Sequence, residues 1–187
     1  TQKPSEAFIV DLSNGNYTLI EKKVVIEGQK TAYFSEKFLE IMVPVTTKEQ
    51  IKEIKKTVTH IAKKHDEEPY KALATTQQAI FHQLEEQDEI DAAAIFDKVF
   101  EEKPLAREAA QLAITEERVP EKIAVTNVPK YERKYSKQKF KLDNGIEITI
   151  PSEIYENKEM VEFINNPDGS VSVLIKNIES ILNKFNA

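Results

Sequence analysis

The sequence predicts an α+β fold in three successive parts: an N-terminal antiparallel β-meander with a helix, a helical middle, and C-terminal β-hairpins with a terminal helix. Three observations predict it. Toward the C-terminal end, Asn144-Gly145 separates two runs of alternating apolar and polar residues, and Asn-Gly tolerates the positive φ of a tight hairpin turn. A second turn, Asn166-Pro167-Asp168-Gly169, has the residue order of a type I turn followed by a left-handed glycine. Between residues 47 and 115, by contrast, apolar residues recur every three or four positions, the period of helices.

Residues 6–34 read as a three-stranded meander. Ala7 to Leu12 is an apolar run, Asn14-Gly15 turns it, and Tyr17 to Ile20 returns. Val24 to Ile26 follow, then a turn at Glu27-Gly28-Gln29-Lys30, then Thr31 to Phe34. Phe38, Leu39, Ile41 and Met42 fit either a short helix or a strand ending at Pro44.

Thr47 to Lys64 is the clearest helix. Thr47 with Gln50, or Thr46 with Glu49, forms a capping box, and Ile51, Ile54, Val58 and Ile61 make one apolar stripe. A second helix starts at Pro69 behind Asp66-Glu67-Glu68, with Tyr70, Leu73, Gln77, Ile80, Phe81 and Leu84 on its inner face. Asp91 caps a third, whose core residues are Ile95, Phe96, Val99 and Phe100. Pro104 opens a fourth through Leu105, Ala109, Leu112 and Ala113. Lys122 to Val128 reads as a strand. The hairpins of residues 137–175 follow, and a last helix is capped by Asn177 with Ile178, Ile181, Leu182 and Phe185 as its buried face. The organisation is thus 1–65, a β-meander plus amphipathic helix; 66–118, an acidic helical segment; and 119–187, a β-hairpin unit with its helix.

Composition narrows the chemistry. Without cysteine there are no disulfides, zinc-thiolate sites or thiol nucleophiles, and no apolar run approaches the length of a membrane span. Enzymatic readings find no site. All four glycines fall in turns, so no Gly-rich phosphate loop exists, and there is no G-x-S-x-G elbow. His60 and His65 are five apart rather than on one helical face, and His82 stands alone. The cluster Glu85, Glu86, Asp88, Glu89, Asp91 lacks the glycine and spacing of a calcium loop. We therefore expect no enzyme, no cofactor and no metal.

The stretch LDNGIEITIPSEIYENKEMVEFINNPDGSVSVLIKNI, together with PSEAFIVDL and YFSEKFLE near the start, resembles the bacterial nucleoid-associated protein family typified by the YejK (NdpA) proteins. The resemblance runs over nearly the whole chain and is strongest over residues 137–178. Its signature is one of hairpins and turns, not of catalytic residues. It implies a cytoplasmic protein associated with DNA in the nucleoid. It also implies that this chain is the C-terminal part of a longer protein, in keeping with Thr1 in place of an initiator Met.

Net charge is −6, which repels DNA as a whole, so binding needs a local basic surface. The run 130–141 supplies one. Lys130, Arg133, Lys134, Lys137, Lys139 and Lys141 oppose a single acid, Glu132, and Tyr131, Tyr135 and Phe140 interleave. On a strand, Lys137, Lys139 and Lys141 share a face about 7 Å apart, a spacing that can follow a phosphate backbone with a tyrosine stacking or hydrogen bonding nearby. The same lysines equally suit an edge strand protected against aggregation. Lys52, Lys55 and Lys56 on the first helix form a second candidate surface. The expected partner is DNA, double-stranded included, bound largely without sequence preference. The alternative is a protein-interaction or homo-oligomerisation module that reaches the nucleoid through a protein partner. The acidic stretch 85–102 favours that alternative.

Overall fold

A computed structural model describes residues 6–15, 17–26, 28–40 and 45–182. The chain divides into two compact units, residues 1–46 and 47–187.

In the first unit, β1 (Ala7–Val10) pairs with β2 (Tyr17–Ile20), and β3 (Val24–Ile26) pairs with β4 (Gln29–Thr31), both antiparallel. These are two separate two-stranded sheets, not the predicted three-stranded meander. The reason lies at the junction. The Glu21 carboxylate accepts the backbone N–H of Ser35 at 3.0 Å and also its hydroxyl proton. This ties the connecting segment to the chain beyond β4, away from a register alongside β2. The strand predicted over Thr31–Phe34 stops at Thr31, and Phe34–Phe38 is a single π-helical turn closed by Leu39 N–H on the Phe34 carbonyl. Ile41, Met42 and Pro44 lie outside the described residues. The ring of Phe8 stands 5.7 Å from Tyr17 and 6.2 Å from Phe34.

The second unit opens with α1 (Thr47–Lys64), which buries the predicted stripe of Ile51, Ile54, Val58 and Ile61. It packs against α2 (Pro69–Glu86), so the helix that the sequence groups with the N-terminal strands shares the hydrophobic core of the helical middle. The predicted inner face of α2 is buried at Ile80, Phe81 and Leu84, whereas Tyr70, Leu73 and Gln77 are half-buried. Burial extends well beyond that face, to Ala72, Ala74, Thr76, Gln78 and Ala79. The helix is central, with α1, α3 (Ala92–Val99) and α5 (Val128–Tyr135) packed around it. The small residues let those neighbours approach closely.

Asp91 caps α3 as predicted, its side chain accepting Ala94 N–H at 2.9 Å. Just before it lies a strand the sequence analysis missed, β5 (Glu89–Asp91), paired antiparallel with β6 (Lys122–Ala124). The predicted strand 122–128 therefore ends early, and Val128 begins a helix. On α4 (Pro104–Thr115) Ala113 is buried as predicted, but Ala106 and Ala110 are also inside, while Leu105 is 72% exposed and Leu112 is exposed too. Leucine periodicity misled because this helix meets its neighbours through alanines, which allow a closer approach than leucines do.

Two hairpins complete the unit. β7 (Lys137–Lys141) pairs with β8 (Glu147–Pro151) across Asn144-Gly145, and β9 (Val161–Asn165) pairs with β10 (Val171–Ile175) across Pro167-Asp168-Gly169. A short helix, α6 (Ser152–Glu156), links them. Gly145 and Gly169 take φ of 90° and 83°, the left-handed conformation the turn chemistry demands. The predicted terminal helix is absent over the described part of its range, through Leu182. Asn177 has a φ of 54° and donates its side-chain amide to the Glu159 carbonyl, so it prolongs the β9–β10 pairing instead of capping a helix. Ile178, Ile181 and Leu182 are exposed, without the core surface that would stabilise an amphipathic helix. Phe185 lies outside the described residues.

Burial predicts a sharp contrast in stability. Phe96→Ala should cost about 3–5 kcal/mol in urea denaturation, because its ring is fully enclosed. Leu105→Ala should shift the midpoint by less than about 0.5 kcal/mol equivalent, as expected of an exposed position.

Candidate nucleic-acid interface

The basic run folds as a helix followed directly by a strand. Asn127 caps α5 by accepting the Lys130 N–H at 3.2 Å, and Pro129 sits in the first turn, where its missing N–H costs nothing. With three- and four-residue spacing, Tyr131 and Tyr135 turn inward and Lys130, Arg133 and Lys134 turn outward. Lys137 continues that outward row at the start of β7. From there the alternation of the strand takes over: Lys137, Lys139 and Lys141 are exposed and Gln138 is buried. All six predicted cations are thus on the surface of one continuous segment. Their cross-strand neighbours on β8 are Pro151 for Lys137, Thr149 for Lys139 and Glu147 for Lys141. The ion pairs between described residues fall elsewhere in the chain.

This segment is held against α2 by side-chain amides. Gln77 donates to the carbonyls of Tyr135 (3.2 Å) and Lys137 (2.8 Å), and buried Gln138 donates to the Ala74 carbonyl at 3.0 Å. Buried Ser152 donates its hydroxyl to Tyr135 O at 2.8 Å and its N–H to Ser136 O at 2.9 Å. The corner between α5 and β7 therefore has its backbone acceptors satisfied, and the lysines that flank it stand on a rigid support. Helical spacing puts Gln77 on the inner face of α2, but nothing in the sequence signals the anchoring roles of Gln77 and Ser152. The buried position of Gln138 in an otherwise lysine-alternating strand was the available signal.

The interleaved aromatics do not behave as expected. Tyr131 and Tyr135 are 9% and 7% exposed and stack on one another at 6.4 Å. Their rings carry their own lysines: the Lys134 ammonium lies 5.0 Å over the Tyr135 ring centre and the Lys130 ammonium 5.5 Å over that of Tyr131. Phe140 packs against Tyr155 at 5.5 Å and Phe163 at 5.0 Å. The three rings are occupied by the fold, which corrects the expectation that a tyrosine of this run stacks on a base. What the segment offers is positive charge without an aromatic platform.

The second group divides. Lys52, Lys55 and Lys56 are all exposed on α1, but Lys56 pairs with Glu53 at 2.7 Å. Lys55 borders a cleft of about 670 Å³ that Lys139 and Lys141 also border, so it joins the first group; Lys52 and Lys56 do not line that cleft. Negative charge collects elsewhere, with Glu85, Glu86 and Asp88 exposed at the end of α2. His82, which looks isolated in sequence, bridges α2 and α6: its ring nitrogens lie 3.3 Å from the Glu85 carboxylate and 2.6 Å from that of Glu156. No group of three or more His, Asp or Glu suited to a metal occurs among the described residues.

Burial pushes the Tyr135 hydroxyl up to about 12, and Tyr155 likewise, because the phenolate would lose hydration in the core. The unfolded chain releases these protons near pH 10, whereas the folded chain holds them. The folded state thus binds more protons between about pH 10 and 12, and stability must fall as pH rises through that window. Urea denaturation at successive pH values, with tyrosine ionisation followed by ultraviolet absorbance, should show this loss. Tyr135→Phe should make it shallower.

The chain matches the family described as nucleoid-associated protein YejK over residues 1–183. No curated protein and no solved structure matches it.

Proposed function

The chain belongs to the nucleoid-associated protein YejK family, and from that premise we propose that it binds DNA directly, largely without sequence preference, through Lys and Arg contacts to phosphates. The observation that carries the reading is the continuous row of exposed cations on α5 and β7: Lys130, Arg133, Lys134, Lys137, Lys139 and Lys141. Lys55 extends the row across the cleft, with Lys52 and Lys56 as a flanking surface on α1. A strand places successive outward lysines about 7 Å apart, close to the distance between phosphates along one strand. Phosphate contacts position a protein without reading sequence, and the rings interleaved with these cations are engaged by the fold. Sequence tolerance follows from that chemistry.

The net charge of −6 is no obstacle to such a surface. At physiological salt the Debye length is about 8 Å, so acids more than that distance away along the surface are largely screened from a bound duplex. The lysines would act locally while the acidic middle faces other surroundings. Gln77, Gln138 and Ser152 would act as positioning residues, since they fix the backbone that carries the cations.

Fluorescence anisotropy of a labelled duplex should show binding with a log K against log salt slope of about −3 to −5, or roughly three to five phosphates neutralised. Reversal of charge at Lys134, Lys137 and Lys139 together should weaken binding by at least tenfold and flatten that slope. An unchanged affinity and slope in the triple variant would sink the assignment of this surface.

A further inference from the structure

Among the described residues, β7 and β10 each pair with one strand only; β7 leaves an edge open beside the cleft, which β10 meets through the alternate residues Val171 and Val173. Which amides lie on those edges follows from the turns. Leu142 N–H bonds to Ile146 O, and Ser152 N–H to Ser136 O, so the even-numbered residues of β7 make the ladder with β8. The N–H and C=O groups of Lys139 and Lys141 therefore point away from β8. In the other hairpin, Asn166 N–H bonds to Ser170 O and Lys176 N–H to Met160 O, so the groups of Val171 and Val173 point away from β9. Each residue from Gln138 to Asn144 lines the cleft and no residue of β8 does. A cleft against the face of a strand would meet alternate residues, so this one runs along the β7 edge.

We propose that this cleft binds an extended acidic peptide segment of a partner protein, added as a strand to the open edge of β7. Three features point to that occupant. Alternating unpaired N–H and C=O groups match another backbone, whereas a phosphate strand has no donor for the carbonyls. The floor is apolar, with Leu73, Ile80, Phe140 and Phe163 receiving alternate side chains. The border carries Lys55, Lys139 and Lys141 against a single acid, Asp143, among its described residues, which selects for negative charge. This inference stands independently of direct DNA binding, since it rests on backbone groups and an apolar floor.

The test uses a fluorescein-labelled eight-residue peptide of alternating Val and Glu, titrated into the full chain. Saturable anisotropy is expected, with new hydrogen-exchange protection at the Lys139 and Lys141 amides, while a Val/Lys peptide of equal length should not bind. Lys139→Pro removes an edge N–H without taking a bond from the β7–β8 ladder. It should weaken peptide binding about tenfold, the size expected for one backbone hydrogen bond, whereas Lys139→Gln should lose only a few-fold. Should Lys139→Pro fail to fold, as judged by circular dichroism, the exchange pattern of the unaltered chain decides. The proposal is overturned if the Val/Glu peptide does not bind, if the Val/Lys peptide binds equally well, or if protection falls away from the β7 edge. It is also overturned if an unlabelled duplex displaces the peptide while protecting the same two amides, which would make the cleft a nucleic-acid channel.

Discussion

The burial of α2 is the constraint on which the second unit depends. A helix enclosed on most sides cannot rely on a single apolar stripe. Its small residues, Ala72, Ala74 and Ala79, admit close neighbours, while Ile80, Phe81 and Leu84 fill the remaining space. Such a helix also brings polar groups into the interior, and several find partners, although Gln78 Nε2 and Tyr70 Oη are buried without one among the described residues. Thr76 returns its hydroxyl to the Ala72 carbonyl at 2.7 Å. Gln77 reaches outward to the backbone of Tyr135 and Lys137, and Gln138 reaches back to Ala74. Loss of the Gln77 amide would leave the Lys137 carbonyl at the helix–strand corner without its donor, whereas Tyr135 O would keep the Ser152 hydroxyl. The basic segment inherits its rigidity from that exchange of hydrogen bonds.

Charge is sorted by the same architecture. Inward positions of α5 belong to tyrosines, so its cations must turn to solvent, and those of β7 are turned out by the alternation that buries Gln138. The acids of residues 85–102 lie from the end of α2 to just past α3, where they meet solvent, His82, Lys122, Arg107 and Gln111 or cap α3. A chain with net negative charge thereby exposes six cations along one continuous segment. The stacked pair Tyr131 and Tyr135 serves the fold and partly steers the lysines through their ring faces. This is why aromatic residues interleaved with lysines do not by themselves make a stacking platform: helical periodicity turned two of them inward.

The two C-terminal hairpins have the same turn geometry, each closed by a left-handed glycine, and each remains a two-stranded sheet. Isolated hairpins of five-residue strands are marginal in water and need packing from elsewhere. Here Phe140, Tyr155 and Phe163 supply it, with ring centres between 5.0 and 5.6 Å apart. The aromatic cluster joins the hairpins through their side chains, and among the described residues β7 and β10 each pair with one strand only. In the first unit the hairpins are less enclosed still, since Ala32 and Ser35 are the buried residues among those described there.

Sequence alone determined what local chemistry dictates. Asn144-Gly145 and Pro167-Asp168-Gly169 set both hairpins because φ at those positions is a property of the residues themselves. The stripe of α1 and the Asp91 cap follow from spacing within one helix, and the outward row of Lys137, Lys139 and Lys141 from strand alternation. Only the tertiary structure decided the rest, because it depends on residues far apart in the chain. The β5–β6 pairing joins positions some thirty residues apart, and a three-residue strand has too little pattern to announce itself. The alanine face of α4 and the enclosure of α2 are set by the neighbours that reach them, which outweigh leucine periodicity. Over its described residues, the helix expected after Asn177 has the right spacing but leaves Ile178, Ile181 and Leu182 exposed, and packing is what stabilises a short helix. The meeting of Lys55 with Lys139 and Lys141 at one cleft, like the inward turn of Tyr131 and Tyr135, exists only once α1, α2 and the hairpins are assembled.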